Sequence, residues 1–91
     1  MNFGEALTEL KNGNRVARAG WNGKGMWLVL MDFGPDRESV LAAMADAADW
    51  DVALAGLRAA SWIGMKTVDE MFVPWLASQT DILAEDWSVA E

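Results

Sequence analysis

The chain has no cysteine and no histidine. Without cysteine there is neither a disulfide framework nor a thiolate metal site. Without histidine the commonest zinc ligand and the usual general base are missing as well. Catalysis is disfavoured from the outset, and no metal or cofactor is expected. Basic residues are scarce too: seven Lys and Arg stand against fourteen Asp and Glu, a formal charge of −7. Duplex nucleic acid and anionic membranes are captured by Lys and Arg, so neither is an expected partner, and an anionic ligand has to be held locally. The N-terminus lacks a basic-then-apolar signal pattern, and no apolar run approaches the length of a membrane span. A cytoplasmic location is expected. Linkers rich in Ser, Pro or Gly, low-complexity tracts, repeats and long heptad runs are likewise missing.

What is present is apolar and aromatic. Of 91 residues, 53% are hydrophobic, with six Trp and six Met, more than a single small domain hides comfortably. Oligomerisation is the usual outlet for such a surplus.

Taken in order, Asn2 caps a first helix in which Phe3, Ala6, Leu7 and Leu10 share one face until Gly13 ends it. Arg15-Val16-Ala17-Arg18-Ala19 reads as a half-buried strand with both arginines on one solvated face. Met26 to Phe33 is apolar at nearly every position. It suits a strand covered by a helix on one side and a neighbouring subunit on the other. From Asp36 to Ala60 the pattern turns helical, with Val40, Met44, Ala47, Trp50, Leu54 and Leu57 in an alanine-rich stripe. One long helix or two, capped near Asp49 and Asp51, fit equally. Ser61 to Thr67 reads as a strand, Asp69-Glu70 as a hairpin tip, and Met71 to Val73 as its return, stopped by Pro74. A helical turn from Ser78 through Asp86 and a short strand Trp87 to Val89 close the chain. The class is α+β: a single domain over 1–91, with a small antiparallel sheet, an N-terminal helix and a helical insertion at about 36–60.

Two stretches carry chemistry. In Pro74-Trp75-Leu76-Ala77-Ser78-Gln79-Thr80-Asp81 an indole sits beside four side chains that hydrogen-bond, at the entrance of a short helix where unpaired N–H groups favour an anion. Ser78 and Asp81 also fit a capping box, which needs no ligand. Gly20-Trp21-Asn22-Gly23-Lys24-Gly25 repeats the combination of indole, amide and permissive backbone and adds a cation. It has neither the spacing of a dinucleotide fingerprint nor that of a phosphate-binding P-loop, and Asn22-Gly23 alone makes a plain hairpin turn.

Read together, Asn2-Phe3-Gly4-Glu5-Ala6-Leu7, Ala19 through Met26, Met65-Lys66-Thr67 and Val73 through Trp87 resemble the Thoeris anti-defense 2 family, whose members are small phage-encoded proteins. The segment from about Asp36 to Ala60 matches no block of the family and falls where its members vary. The resemblance implies a sponge that binds, without cleaving it, the cyclic ADP-ribose derivative (glycocyclic ADP-ribose) made by a bacterial Thoeris system on infection. Withheld in the host cytoplasm, the signal does not reach the effector that depletes NAD. Some relatives also take up cyclic oligonucleotides of the CBASS defence. It further implies a homotetramer with pockets formed between subunits.

Joined to the residues, the resemblance places Trp21 and Trp75 as stacking platforms for the adenine or a ribose face. Asn22, Ser78, Gln79 and Thr80 would bond the base edge, ribose hydroxyls and phosphates, and Lys24 with the Gly23 and Gly25 amides would meet pyrophosphate. Asp81 suits a ribose diol. Trp27, Trp50, Trp62 and Trp87 are expected to serve subunit contacts only. Two rivals belong to other classes. An enzyme acting on the same nucleotide would have to use Asp81, Glu85 or Asp86 as its base. A structural or protein-binding module would use Trp21 and Trp75 for assembly alone.

Overall fold

The computed structural model describes residues 1–21, 25–32 and 60–90. Its elements, in chain order, are helix α1 (Phe3–Lys11), strands β1 (Arg15–Arg18), β2 (Trp27–Met31), β3 (Trp62–Lys66) and β4 (Phe72–Pro74), a one-turn helix α2 (Gln79–Ile82) and strand β5 (Trp87–Ala90). The strands form one antiparallel sheet in the order β4-β3-β2-β1-β5, so the fold is α+β. By contacts the chain divides into two units, Met1–Leu30 with Trp62–Glu91, and Met31–Ser61. The helical readings from Asp36 to Ala59, including Trp50, lie outside the described residues, as do Asn22, Gly23 and Lys24.

Local sequence explains α1. The Asn2 side chain accepts from Glu5 N at 2.8 Å while the Glu5 carboxylate accepts from Asn2 N at 3.0 Å, a reciprocal cap that satisfies two donors otherwise left open. The helix turns Ala6 and Leu10 fully inward, with Phe3 and Leu7 packed against the same core. There they meet Val16 of β1, Leu28 of β2 and Trp87 of β5. Val16 and Leu28 are paired across β1 and β2, which places them on one face of the sheet.

The return of β5 to the first strand decides where the site lies. It pairs with β1 along its whole length, from Arg15↔Ala90 to Arg18↔Trp87. The segment just before β5 is thereby laid against the end of β1, and Ala19 N donates to Asp86 O at 3.1 Å.

Four expectations are corrected. Arg15 and Arg18 do not share a face, because residues three apart in a strand point to opposite sides. Arg15 lies over the Trp27 ring, 4.9 Å from its centroid, whereas Arg18 lies opposite Trp87 in the ladder and is held between carboxylates. Pro74 does not stop the pairing. It is in register with Gly64, and Trp75 N continues to Ile63 O at 2.9 Å, as an edge strand allows when the missing N–H faces outward. The last helical turn is confined to Gln79–Ile82 and does not run to Asp86. Trp87 is 2% exposed, a member of this chain's own core and not a subunit contact.

Candidate functional site

Trp21 lies three residues past the end of β1, and Trp75 follows β4 across the sheet. Both are half-buried, and both rest on the same ring. Trp21 meets Trp87 edge-on with centroids 5.3 Å apart, and Trp75 meets it edge-on at 6.1 Å. Phe3 of α1 fills the remaining side, 5.5 Å from Trp87 and 5.7 Å from Trp75. Edge-to-face contacts are the arrangement that the ring quadrupoles favour, so Trp87 acts as a fixed wedge that sets the planes of its two neighbours. Its own indole N–H donates to Asp81 O at 3.0 Å. The two candidate platforms are thus brought together within one chain.

A charged cluster holds the polar side of this aromatic group. Arg18 donates from Nη1 to Asp81 Oδ1 at 2.7 Å and from Nε to Asp86 Oδ1 at 2.8 Å, with Nη2 reaching Asp86 Oδ2 at 3.5 Å. Asp81 Oδ1 also accepts from the Trp21 indole Nε1 at 3.2 Å. Asp86 Oδ2 accepts from Gly20 N at 2.7 Å, an approach that needs glycine, since a Cβ there would stand 2.9 Å from that oxygen. One guanidinium therefore ties the end of β1, the glycine loop, α2 and the lead into β5.

The titration of the cluster follows from this geometry. Arg18 is held even more firmly in its charged form by Asp86 and then Asp81. Burial pushes the Asp81 carboxyl upward, but hydrogen bonds from Arg18, Trp21 and Ser78 outweigh it and the net shift is down. Asp86 is lowered chiefly by Arg18, against a smaller upward push from burial, with help from the Gly20 amide. Both carboxylates are weak bases as a result.

Of the residues singled out in the sequence, Trp21, Trp75 and Asp81 meet here. Asp81 is engaged by Arg18 and Trp21, so its carboxylate braces the site. Ser78 caps α2, its hydroxyl accepting from Asp81 N at 3.1 Å, while Gln79 and Thr80 lie on the exposed first turn. A helix of one turn carries little dipole, so anion attraction at its entrance contributes little. Gly25 closes the glycine loop with φ +88°. Arg18 is the residue sequence reasoning missed. Its three-residue offset from Arg15 was the available signal, because it puts one arginine on the core face, where a charge needs a partner.

Close by in the chain, three large apolar side chains are exposed: Leu76 by 92%, Leu83 by 76% and Ile82 by 42%. Among the described residues there is no enclosed cavity, no group of His, Cys, Asp and Glu able to hold a metal, and no helix long and apolar enough to cross a membrane.

Comparison with known proteins adds two observations. The Tad2-like (Thoeris anti-defense 2-like) domain family matches residues 1–90. A Thoeris anti-defense 2 protein of Bacillus phage SP01 is 39% identical over 93 aligned positions, which cover 98% of this chain and 93% of that protein.

Proposed function

We propose, from the premise that the chain belongs to the Thoeris anti-defense 2-like family, that it is a sponge for a cyclic ADP-ribose-type immune signal. Membership gives it a role in phage anti-defence. The finer reading is that it binds glycocyclic ADP-ribose in the host cytoplasm and holds it unaltered, as a homo-oligomer, expected to be a tetramer, whose subunits complete the site.

The observation that carries the reading is the convergence of Trp21 and Trp75 on Trp87. Two half-buried indoles with fixed planes, with Ser78, Gln79 and Thr80 on the turn that carries Asp81 to Trp21, offer what a nucleotide requires: flat surfaces for the base and donors for its edge and ribose. Each stack contributes about 1–3 kcal/mol. The exposed Leu76, Ile82 and Leu83 beside them are surface that a second copy would cover.

Against catalysis on the same ligand stands the state of the carboxylates. Asp81 and Asp86 are both pulled toward the ionised form by Arg18, which makes each a poor proton acceptor near neutral pH. The test is direct. Purified protein is mixed with glycocyclic ADP-ribose, freed of unbound ligand and heat-denatured. Intact ligand is expected in the supernatant, and a cleaved product would replace the sponge with an enzyme. Trp21→Ala and Trp75→Ala should each weaken uptake by about tenfold or more. Unchanged uptake with a dissociated oligomer would make the tryptophans assembly contacts instead.

A further inference from the structure

Phosphate is the part of such a ligand that needs positive charge, and Arg18 is committed to two carboxylates. Arg15 faces Trp27. With those two engaged, the cation that reaches the Gly25 end of the glycine loop among the described residues is Lys66, at the end of β3. Its Nζ donates to Gly25 O at 3.0 Å and pairs with Glu70 Oε1 at 3.1 Å. Gly25 belongs to the loop that begins next to Trp21, and four residues of chain span at most about 14 Å.

Glu70 itself is in an unusual place. Thr67 N donates to Met71 O at 2.8 Å and Glu70 N to Thr67 O at 3.2 Å, so residues 68–70 form a three-residue hairpin loop. Its last position takes positive φ and is normally glycine. Here it is glutamate with φ +66°. A non-glycine residue held in that region is strained, and such strain is found where a side chain is needed in one position. The side chain delivered is the carboxylate on Lys66. That carboxylate is also easily lost: the Glu70 side chain is 78% exposed against 23% for Lys66, and exposed partners are weakly held.

Building on the sponge reading above, we infer that Lys66 is a second phosphate-binding cation of the nucleotide site. Glu70 occupies it in the free protein and gives way to a phosphate group of the ligand. An ammonium has three donors, so Lys66 can keep Gly25 O while exchanging Glu70 for a phosphate oxygen. The Gly25 carbonyl stays on the ammonium throughout the exchange and keeps Lys66 in place. Glu70 sets affinity by competing for the same ammonium.

The experiment is calorimetric titration of the whole protein with glycocyclic ADP-ribose, with thermal unfolding run in parallel, for wild type, Glu70→Gln, Glu70→Gly and Lys66→Met. Both Glu70 variants should bind several-fold tighter than wild type, and Glu70→Gly should also unfold at a higher temperature because glycine suits the positive φ. Lys66→Met should bind about tenfold more weakly, the loss expected of one charged hydrogen bond. Glu70→Gln keeps the backbone and the fold, so it decides the matter even if Lys66→Met is unstable. If the variants differ in unfolding temperature but bind alike, the pair is a hairpin staple and the inference fails while the sponge reading stands. A wild-type protein that takes up no ligand removes both.

Discussion

The indole Nε1 of Trp21 and the carboxylate of Asp81 meet at 3.2 Å, on the same oxygen that receives Arg18 Nη1 at 2.7 Å. That shared oxygen links a candidate stacking platform to the ion cluster, so the plane of the indole depends on a charge from another part of the chain. Substitution in the cluster should therefore be felt in ligand binding as well as in stability.

The three groups should behave as a unit. Removing Arg18 alone leaves two partly buried carboxylates without their shared cation, and Asp81→Asn alone leaves Arg18 with one carboxylate of its two. In a double-mutant cycle with Arg18→Met and Asp81→Asn, each single variant should melt several degrees below wild type. The double variant should lose clearly less than the two losses together. Strictly additive losses, read by thermal unfolding of the four proteins, would show that the contacts do not cooperate.

Acid should weaken the fold before it affects Arg18. The Asp81 and Asp86 carboxyls sit below their unfolded values, near 3.9, so their contribution is complete above that pH and is lost as pH falls through the lowered folded values. Urea midpoints should be flat from about pH 5 to 7 and then drop as carboxyls of this kind are protonated. In Arg18→Met the acid-side drop should be shallower, because the chief lowering contact is gone.

Gly64 lies beneath the ring of Phe72, and an added Cβ would come within 2.2 Å of Phe72 Cζ. Phe72 also packs on Trp62 with centroids 5.8 Å apart. Gly64→Ala should swing the half-exposed ring off the sheet and cost about 1–2 kcal/mol, measured by urea unfolding. The same substitution should be close to neutral in a Phe72→Ala background. A full cost in that background would place the strain in the backbone.

Trp87→Ala should destabilise by about 3–5 kcal/mol, as truncation of a fully buried indole does. A milder change separates packing from binding. Trp87→Phe keeps a ring in the core but removes the hydrogen bond to Asp81 O and shortens the wedge between Trp21 and Trp75. It should fold, unfold at lower urea and hold glycocyclic ADP-ribose less tightly. Equal affinity by calorimetry would mean that Trp87 does not set the two platforms.

Much of the fold was legible along the chain because its causes are local. The Asn2–Glu5 cap, the Ala6 and Leu10 face, and strands at Arg15–Arg18, Trp27–Met31, Trp62–Lys66 and Trp87–Ala90 all follow from side chains a few residues apart. Trp21 and Trp75 stood out by the same means, each an indole beside amides and hydroxyls. Arg18 did not: its three-residue offset from Arg15 puts one arginine on the covered face, but the carboxylates that hold it come from Asp81 and Asp86, far along the chain. The inward position of Trp87 is not legible either, since aromatic residues look alike along a chain whether they face inward or outward.

Sequence by itself determined the capped first helix, the positions of strands β1, β2, β3 and β5, and which family motifs the chain carries. Only tertiary structure decided that β5 returns beside β1. That pairing sets Asp81 and Asp86 against Arg18, 63 and 68 residues away along the chain, and lets Trp87 support Trp21 and Trp75 together. The physical reason is range: capping and periodicity act within a turn or two, whereas an ion pair or ring contact between distant segments exists only once the sheet has closed between them.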